Sequence, residues 1–187
     1  PLKEGDFELC GQPFSPASTR KIAILLEHAD DSMLMRELSV LDNLCFTLDH
    51  RLPGVWHDAR LRRGIEQECG GLLDAKLFQL WPEQLTTAQK YDLVYARILL
   101  QKPKVVFCIQ PFQGADMELR MRIWNHLERL LGQGIGVVIL AVNLADSLSL
   151  AHQLVRVHRS APNEVYSRKD FSTLSSTAPW VDFYQQL

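Results

Sequence analysis

The chain has 187 residues, with 20 Lys and Arg against 22 Asp and Glu and a net charge of −2. That length suits one domain with a sizeable buried core, and the charge balance leaves no basic field to draw in nucleic acid or anionic lipid. Apolar residues make up 47% and charged residues 22%, as in a soluble globular protein; with no signal peptide and no apolar run of bilayer length, a cytoplasmic location is expected.

Asp6 to Leu9 reads as a short strand, followed by a turn at Gly11-Gln12-Pro13. Ser15-Pro16 and Ser18-Thr19 open a short helix. The run I-A-I-L-L, Ile22 to Leu26, is an apolar strand closed by Glu27-His28. Leu38 to Leu48 is helical, because apolar residues at 38, 41, 44, 45 and 48 share one face. Ser39 and Asp42 stand at capping-box-like spacing at its start. Pro53-Gly54 breaks the chain. His57 to Leu73 is a charged helix with Gly64 inside it and Gly70-Gly71 at its end, and Arg60, Arg62 and Arg63 form a solvated face. Leu77 to Trp81 is a connector.

Thr86 followed three residues later by Gln89 is a capping box. It opens a helix whose apolar body runs from Tyr91 to Leu100, and Pro103 ends it. Val105 to Ile109 is short, apolar and β-branched, which suits a strand covered on both faces. Pro111 and Gly114 turn the chain, and Asp116 caps a helix to about Leu131 with an apolar stripe of Ile123, Leu127, Leu130 and Leu131. Gly132 and Gly134 close that helix. Val137 to Val142 is a further buried strand. Asn143, with Asp146 three residues on, caps a helix from Leu144 to His152. Leu154 to His158 and Glu164 to Ser167 form a closing strand pair across Pro162-Asn163. The tail, 170–187, carries Trp180 and Phe183 and no motif. Strand, helix, strand, helix predicts an α/β fold with a parallel sheet.

The four cysteines, Cys10, Cys45, Cys69 and Cys108, form no C-x-x-C pair, and the six histidines show no ligand spacing. No metal site is read from them. Cys45 and Cys108 lie in apolar runs and are expected as reduced core residues, and His50 and His57 as surface residues beside a turn.

The block from Leu85 to Asp116 resembles the signature helix, Walker B strand and D-loop of an ABC-transporter ATPase. That family reads L-S-G-G-Q, a helix, a break with Pro, an apolar strand ending D-E-P and a turn ending in Asp. Here Leu85 and Gln89 match, while Thr86, Thr87 and Ala88 stand at the Ser-Gly-Gly. Ile109 falls at the metal-binding Asp and Gln110 at the general-base Glu. Pro111, Gly114 and Asp116 match. Glu27 falls at the Q-loop Gln, and Val142, beside Asn143, at the switch His. The run E-L-S-V-L-D-N-L-C resembles the S-V-x-x-N helix that opens the family's helical subdomain, and with the linker R-L-P-G-V-W it looks most like the ribose- and galactose-type sugar importers.

The resemblance implies an incomplete P-loop NTPase fold with a helical subdomain at about 38–101, within a degenerate ABC-like domain at 1–169. It runs from Leu2 to about Ser167 and begins downstream of the phosphate loop, so the chain is expected to be a fragment. None of the ten glycines is followed by Lys, so G-x-x-x-x-G-K-[ST] does not occur in these 187 residues. Ile109 offers no oxygen to magnesium, Gln110 lacks the basicity to take a proton from water, and Thr87 and Ala88 add Cβ atoms where the signature glycines admit a phosphate. ATP and Mg are therefore not expected to bind well. The expected role is a non-catalytic fragment or half of a sugar transporter's ATP-binding protein, acting in subunit association or regulation, with another nucleotide-binding domain or itself as partner and transporter membrane subunits as further partners. The alternative is a truncated domain that hydrolyses ATP when complete. With the phosphate-loop strand missing from the sheet, self-association or a rearranged sheet is expected.

Overall fold

A computed structural model describes residues 8–46, 48, 59–142, 148–158 and 162–171. The chain divides into two compact units, Pro1–Leu140 and Ala141–Leu187.

The first unit opens with β1 (Glu8–Leu9) and β2 (Gln12–Pro13), paired antiparallel across Cys10 and Gly11, both at positive φ. A 3-10 helix, Pro16–Lys21, leads into β3 (Ile22–Leu25). Strands β4 (Val105–Ile109) and β5 (Gly136–Leu140) complete a three-stranded parallel sheet in the order β3-β4-β5. Ile22 pairs with Val105, and Val105 with Gly136. The parallel α/β architecture read from the sequence is present.

The sheet departs from expectation in how it is covered. Strand β4 was expected to be covered on both faces, yet Val106 and Cys108 are buried while Val105, Phe107 and Ile109 are half-buried. Strand β5 was expected to be a buried strand from Val137 to Val142. It ends at Leu140, with Val138 38% and Leu140 52% exposed, and Val142 beyond it is 85% exposed. The cause is the face: Ile24, 53% exposed on β3, and the half-buried Phe107 of the central strand stand in register with Val138, on a side of the sheet left uncovered among the described residues. An apolar run looks the same in sequence whether or not a neighbour arrives to cover it.

The other face is well packed. Ala23, Leu25, Val106 and Cys108 point into a core shared with Ile123, Leu127 and Leu130 of α5 (Met117–Gly132) and with α4 (Thr87–Gln101), whose residues from Tyr91 to Leu100 are all buried. Two helices supply the arm that precedes α4: α2 (Val40–Phe46) and α3 (Ala59–Cys69). Ser39 caps α2 as expected, its hydroxyl accepting from Asp42 N–H at 3.1 Å and donating to the Asp42 carboxylate at 2.7 Å. Arg62 of α3 closes on the same carboxylate at 2.8 Å.

Asn43, fully buried, explains the S-V-x-x-N pattern. Its Oδ1 accepts from Met35 N–H at 2.9 Å, and its two amide protons are shared among the carbonyls of Met35, Leu38 and Ser39 at 2.9–3.1 Å. One side chain thereby satisfies the loop entering α2, which would otherwise bury unpaired backbone. Cys45, Cys69 and Cys108 are free and buried, as read for the first and last. Burial pushes their thiols up, to about 11 for Cys45 and about 12 for the other two.

In the second unit β6 (Gln153–Arg156) pairs antiparallel with β7 (Glu164–Ser167), the closing strand pair read from the sequence with slightly shifted limits. Asn143, Asp146, Pro53-Gly54, His50, His57, Trp180 and Phe183 lie outside the described residues, as do residues 144–147 of the helix expected from Leu144 to His152; of its remainder Leu148 is helical and 149–152 are not, so the helix stops short of His152. No helix among the described residues is long and apolar enough to cross a membrane.

Candidate functional site

In a parallel α/β sheet, ligands meet the carboxyl ends of the strands. Leu25 of β3 pairs in register with Cys108 of β4. Two residues further along each strand direction stand Glu27 and Gln110. The register brings their side chains together: Gln110 Nε2 donates to Glu27 Oε1 at 2.8 Å. Gln110 N–H donates across to Leu140 O at 2.9 Å, so the turn after β4 is tied to both neighbouring strand ends.

Both turning points are backbone outliers. His28, after β3, has φ 48°, and Gln110, after β4, has φ 44°. Left-handed φ is uncommon for side-chain-bearing residues and persists where surrounding bonds hold it; here the holding bonds are those of Gln110 just named. Gly114, at φ 71°, lies beside His28, whose Cε1 is 3.6 Å from where a Cβ on Gly114 would sit. Asp116 Oδ1 accepts from Leu119 N–H at 2.8 Å, so this carboxylate serves as the cap of α5.

The start of α4 is closed by its own side chains. Gln89 N–H donates to Thr86 Oγ1 at 3.2 Å, and Thr86 N–H donates to Gln89 Oε1 at 2.9 Å. This is the capping box read from the sequence. Leu85 packs inward just before it, and Thr87 and Ala88 form the first turn. Two of the N–H groups that a bare helix start offers an anion are thereby engaged.

The structure therefore brings Glu27 to Gln110 and His28 to Gly114, while the Thr86–Gln89 box makes its bonds within itself. Val142 is exposed in the second unit, and Asn143 is outside the described residues. These positions do not fit a magnesium nucleotide. Ile109, the last residue of β4, presents hydrocarbon where a hard cation needs oxygen. The Gln110 amide is spent on Glu27, and no group of three His, Cys, Asp or Glu suited to a metal occurs among the described residues.

Sequence reading missed two charged residues inside the apolar body of α4. Asp92 is buried and takes Arg122 Nη1 on Oδ2 and His126 Nε2 on Oδ1, each at 2.7 Å, from α5. The His126 ring stacks on Tyr95 with centroids 4.6 Å apart. Arg97, also buried, donates to Met33 O beyond the short helix α1 (Ala29–Ser32). The available signal was the charge itself: an ion in the middle of an apolar helix requires a partner.

No family model matches the chain. Among curated proteins, the Fe(3+) ions import ATP-binding protein FbpC of Pseudomonas fluorescens is 30% identical over 158 residues, covering 81% of this chain and 42% of that protein. The ribose import ATP-binding protein RbsA of Geobacillus kaustophilus is 23% identical over 166 residues, 84% of this chain and 34% of its own length. The chain thus spans less than half of these relatives. Importers of iron, sulfate and sugars all occur among these relatives, which supports the ABC ATP-binding family and does not single out the sugar importers. Among solved structures, the dimeric ATP-binding cassette MJ0796, in a post-hydrolysis state with ADP and Pi, superposes with a TM-score of 0.68 at 19% identity, covering 89% of this chain and 74% of that one. In fold and in sequence, the chain is a homologue of the ATP-binding domain of ABC transporters.

Proposed function

We propose that this chain is a non-catalytic ABC-type domain that acts through subunit association or regulation, pairing with another nucleotide-binding domain or with a second copy of itself. The observation that carries this reading is the Gln110–Glu27 hydrogen bond beside Ile109. At the positions where the family places a magnesium ligand and a general base, the chain has an alkyl group and a carboxamide already bonded to a neighbour. The self-capped start of α4 supports the same reading, because the vestigial signature residues Thr86 to Gln89 spend their polar groups on each other. The D-loop remnant, Gly114 and Asp116, then serves turn and cap geometry.

Association is supported by the dimeric cassette of the same fold and by the uncovered face of the β3-β4-β5 sheet, because parallel sheets are ordinarily covered on both sides. In a transporter such a domain would work at the cytoplasmic face of the membrane beside the membrane subunits. The test is calorimetric titration of the 187-residue chain with Mg-ATP, together with phosphate release. Neither micromolar binding nor turnover is expected; micromolar binding would refute the reading.

A second reading has one observation in its favour, the carboxylate of Glu27 at the strand ends. In it the chain is part of a domain that binds and hydrolyses ATP when complete, for import of sugar or of another solute. Turnover that appears on adding a phosphate-loop segment and disappears in Glu27→Ala would establish it.

A further inference from the structure

Arg97 is 8% exposed, and burial pulls its guanidinium below the usual arginine value. A guanidinium carries five N–H donors and no acceptor. Here Nη1 donates to Met33 O, and Nε is buried with no partner among the described residues. No carboxylate among the described residues lies within ion-pair distance of it. The chain treats its other shielded charges differently. Asp92, five residues earlier on the same helix, has two partners, Arg122 and His126, and Asp42 has Arg62. A cation removed from water without a counter-charge is strongly unfavourable unless one arrives from elsewhere.

The structure assigns Arg97, we infer, to one half of an ion pair whose other half is an oxyanion from beyond the described residues, seated where α4 meets the segment beyond α1. The segment is held ready for this. Its carbonyls at Met35 and Leu38 are bound by Asn43, so the Met33 to Leu38 stretch has a fixed course. Arg36, three residues past Met33, is exposed and makes only a long 3.8 Å contact with Asp31, which leaves a second cation on the same segment for the incoming group. The oxyanion is either a small ion such as phosphate or a carboxylate on a second copy of this chain. Because this site is separate from Glu27 and Gln110, it stands whether or not the non-catalytic reading does.

The test follows the Arg97 Nε–H resonance in the ¹H–¹⁵N spectrum, identified by its loss in Arg97→Lys, while inorganic phosphate is added at constant ionic strength. A parallel series raises protein concentration without phosphate. Saturable movement in the first series indicates a small-anion site, and movement in the second a partner's carboxylate. Melting temperature is the companion readout. At about tenfold excess over half-saturation, phosphate would raise the wild-type midpoint by about 3–6 °C and leave Arg97→Lys and Arg97→Met unmoved. A resonance static in both series, with phosphate raising wild-type and variant midpoints alike, would overturn the proposal and leave Arg97 serving only the Met33 carbonyl.

Discussion

Replacing Gln110 by Glu is the informative perturbation, because it supplies the acid that the proposed reading finds missing here and by this geometry should harm the chain. The substitution removes the amide donor that reaches Glu27 at 2.8 Å and puts a second negative charge in its place. Two unit charges about 4 Å apart repel by about 1 kcal/mol in water and about 4 kcal/mol at an effective dielectric of 20. The pair is half-buried, and the side chains can turn apart, so about 2 kcal/mol is the working figure, including the lost charge-assisted bond. For a chain of this size that lowers the thermal midpoint by about 4–8 °C. Gln110→Ala, which loses the bond and adds no charge, should cost about 1 kcal/mol. The added acid is disfavoured as an anion when folded, so the folded state holds its proton more tightly than the unfolded state. The variant's deficit must therefore grow as pH rises and shrink toward about pH 4, where one carboxyl can donate to the other. The decisive sample is the double variant Glu27→Gln with Gln110→Glu, which rebuilds the same bond with the donor on the other strand. Scanning calorimetry of the wild type, Glu27→Gln, Gln110→Glu and the double variant gives the coupling. A double variant no more stable than Gln110→Glu alone would refute the idea that these two groups form one pair.

Other outcomes follow from the packing. Asp92→Ala strips Arg122 and the buried His126 of their shared carboxylate; because Arg122 is partly exposed, the cost should sit near the lower end of the range for broken buried pairs, about 3 kcal/mol, read as a fall of about 6–12 °C in the melting midpoint. A thiol reagent should label one cysteine in the native chain, the exposed Cys10, and four in denaturant; rapid native labelling of a second would contradict the buried placement of the others. At Asp42, burial acts to raise the carboxyl's pKa, and the hydrogen bonds from Ser39 and Arg62 outweigh it, so the group titrates below its usual value of 3.8. Its contribution is present above that value and lost as pH falls through the lower folded one. Asp42→Asn should cost about 1 kcal/mol at pH 7, and that cost should shrink as pH falls below 3.8 in acid-unfolding curves. Sedimentation at micromolar concentration should show a dimer or larger species; a monodisperse monomer would count against association as a way of covering the sheet face that carries Ile24, Val138 and Leu140.

Local signals in the sequence carried a good part of this fold. Thr86 and Gln89 declare the start of α4 because both halves of a capping box lie within three residues, and Asp116 declares α5 as a lone carboxylate cap just before an amphipathic run. The apolar runs at Ile22, Val105 and Val137 mark the strands. What escaped reading depends on neighbours far along the chain. The hydrogen bond between Glu27 and Gln110 spans 83 positions and exists because Leu25 is in register with Cys108. The half-exposure of β5 follows from its lying on a sheet face left uncovered among the described residues, which its own residues do not encode. Asp92 was legible as an anomaly inside an apolar helix, but its partners on α5 were not, since helix pairing is set by packing.

The buried carboxamide of Asn43 has a use in the laboratory. With both of its protons locked onto carbonyls, exchange with deuterated solvent requires the arm around α2 to come apart. Its side-chain amide signal is thus a built-in clock for that opening, able to tell whether a bound partner stiffens the arm even when no coordinate moves.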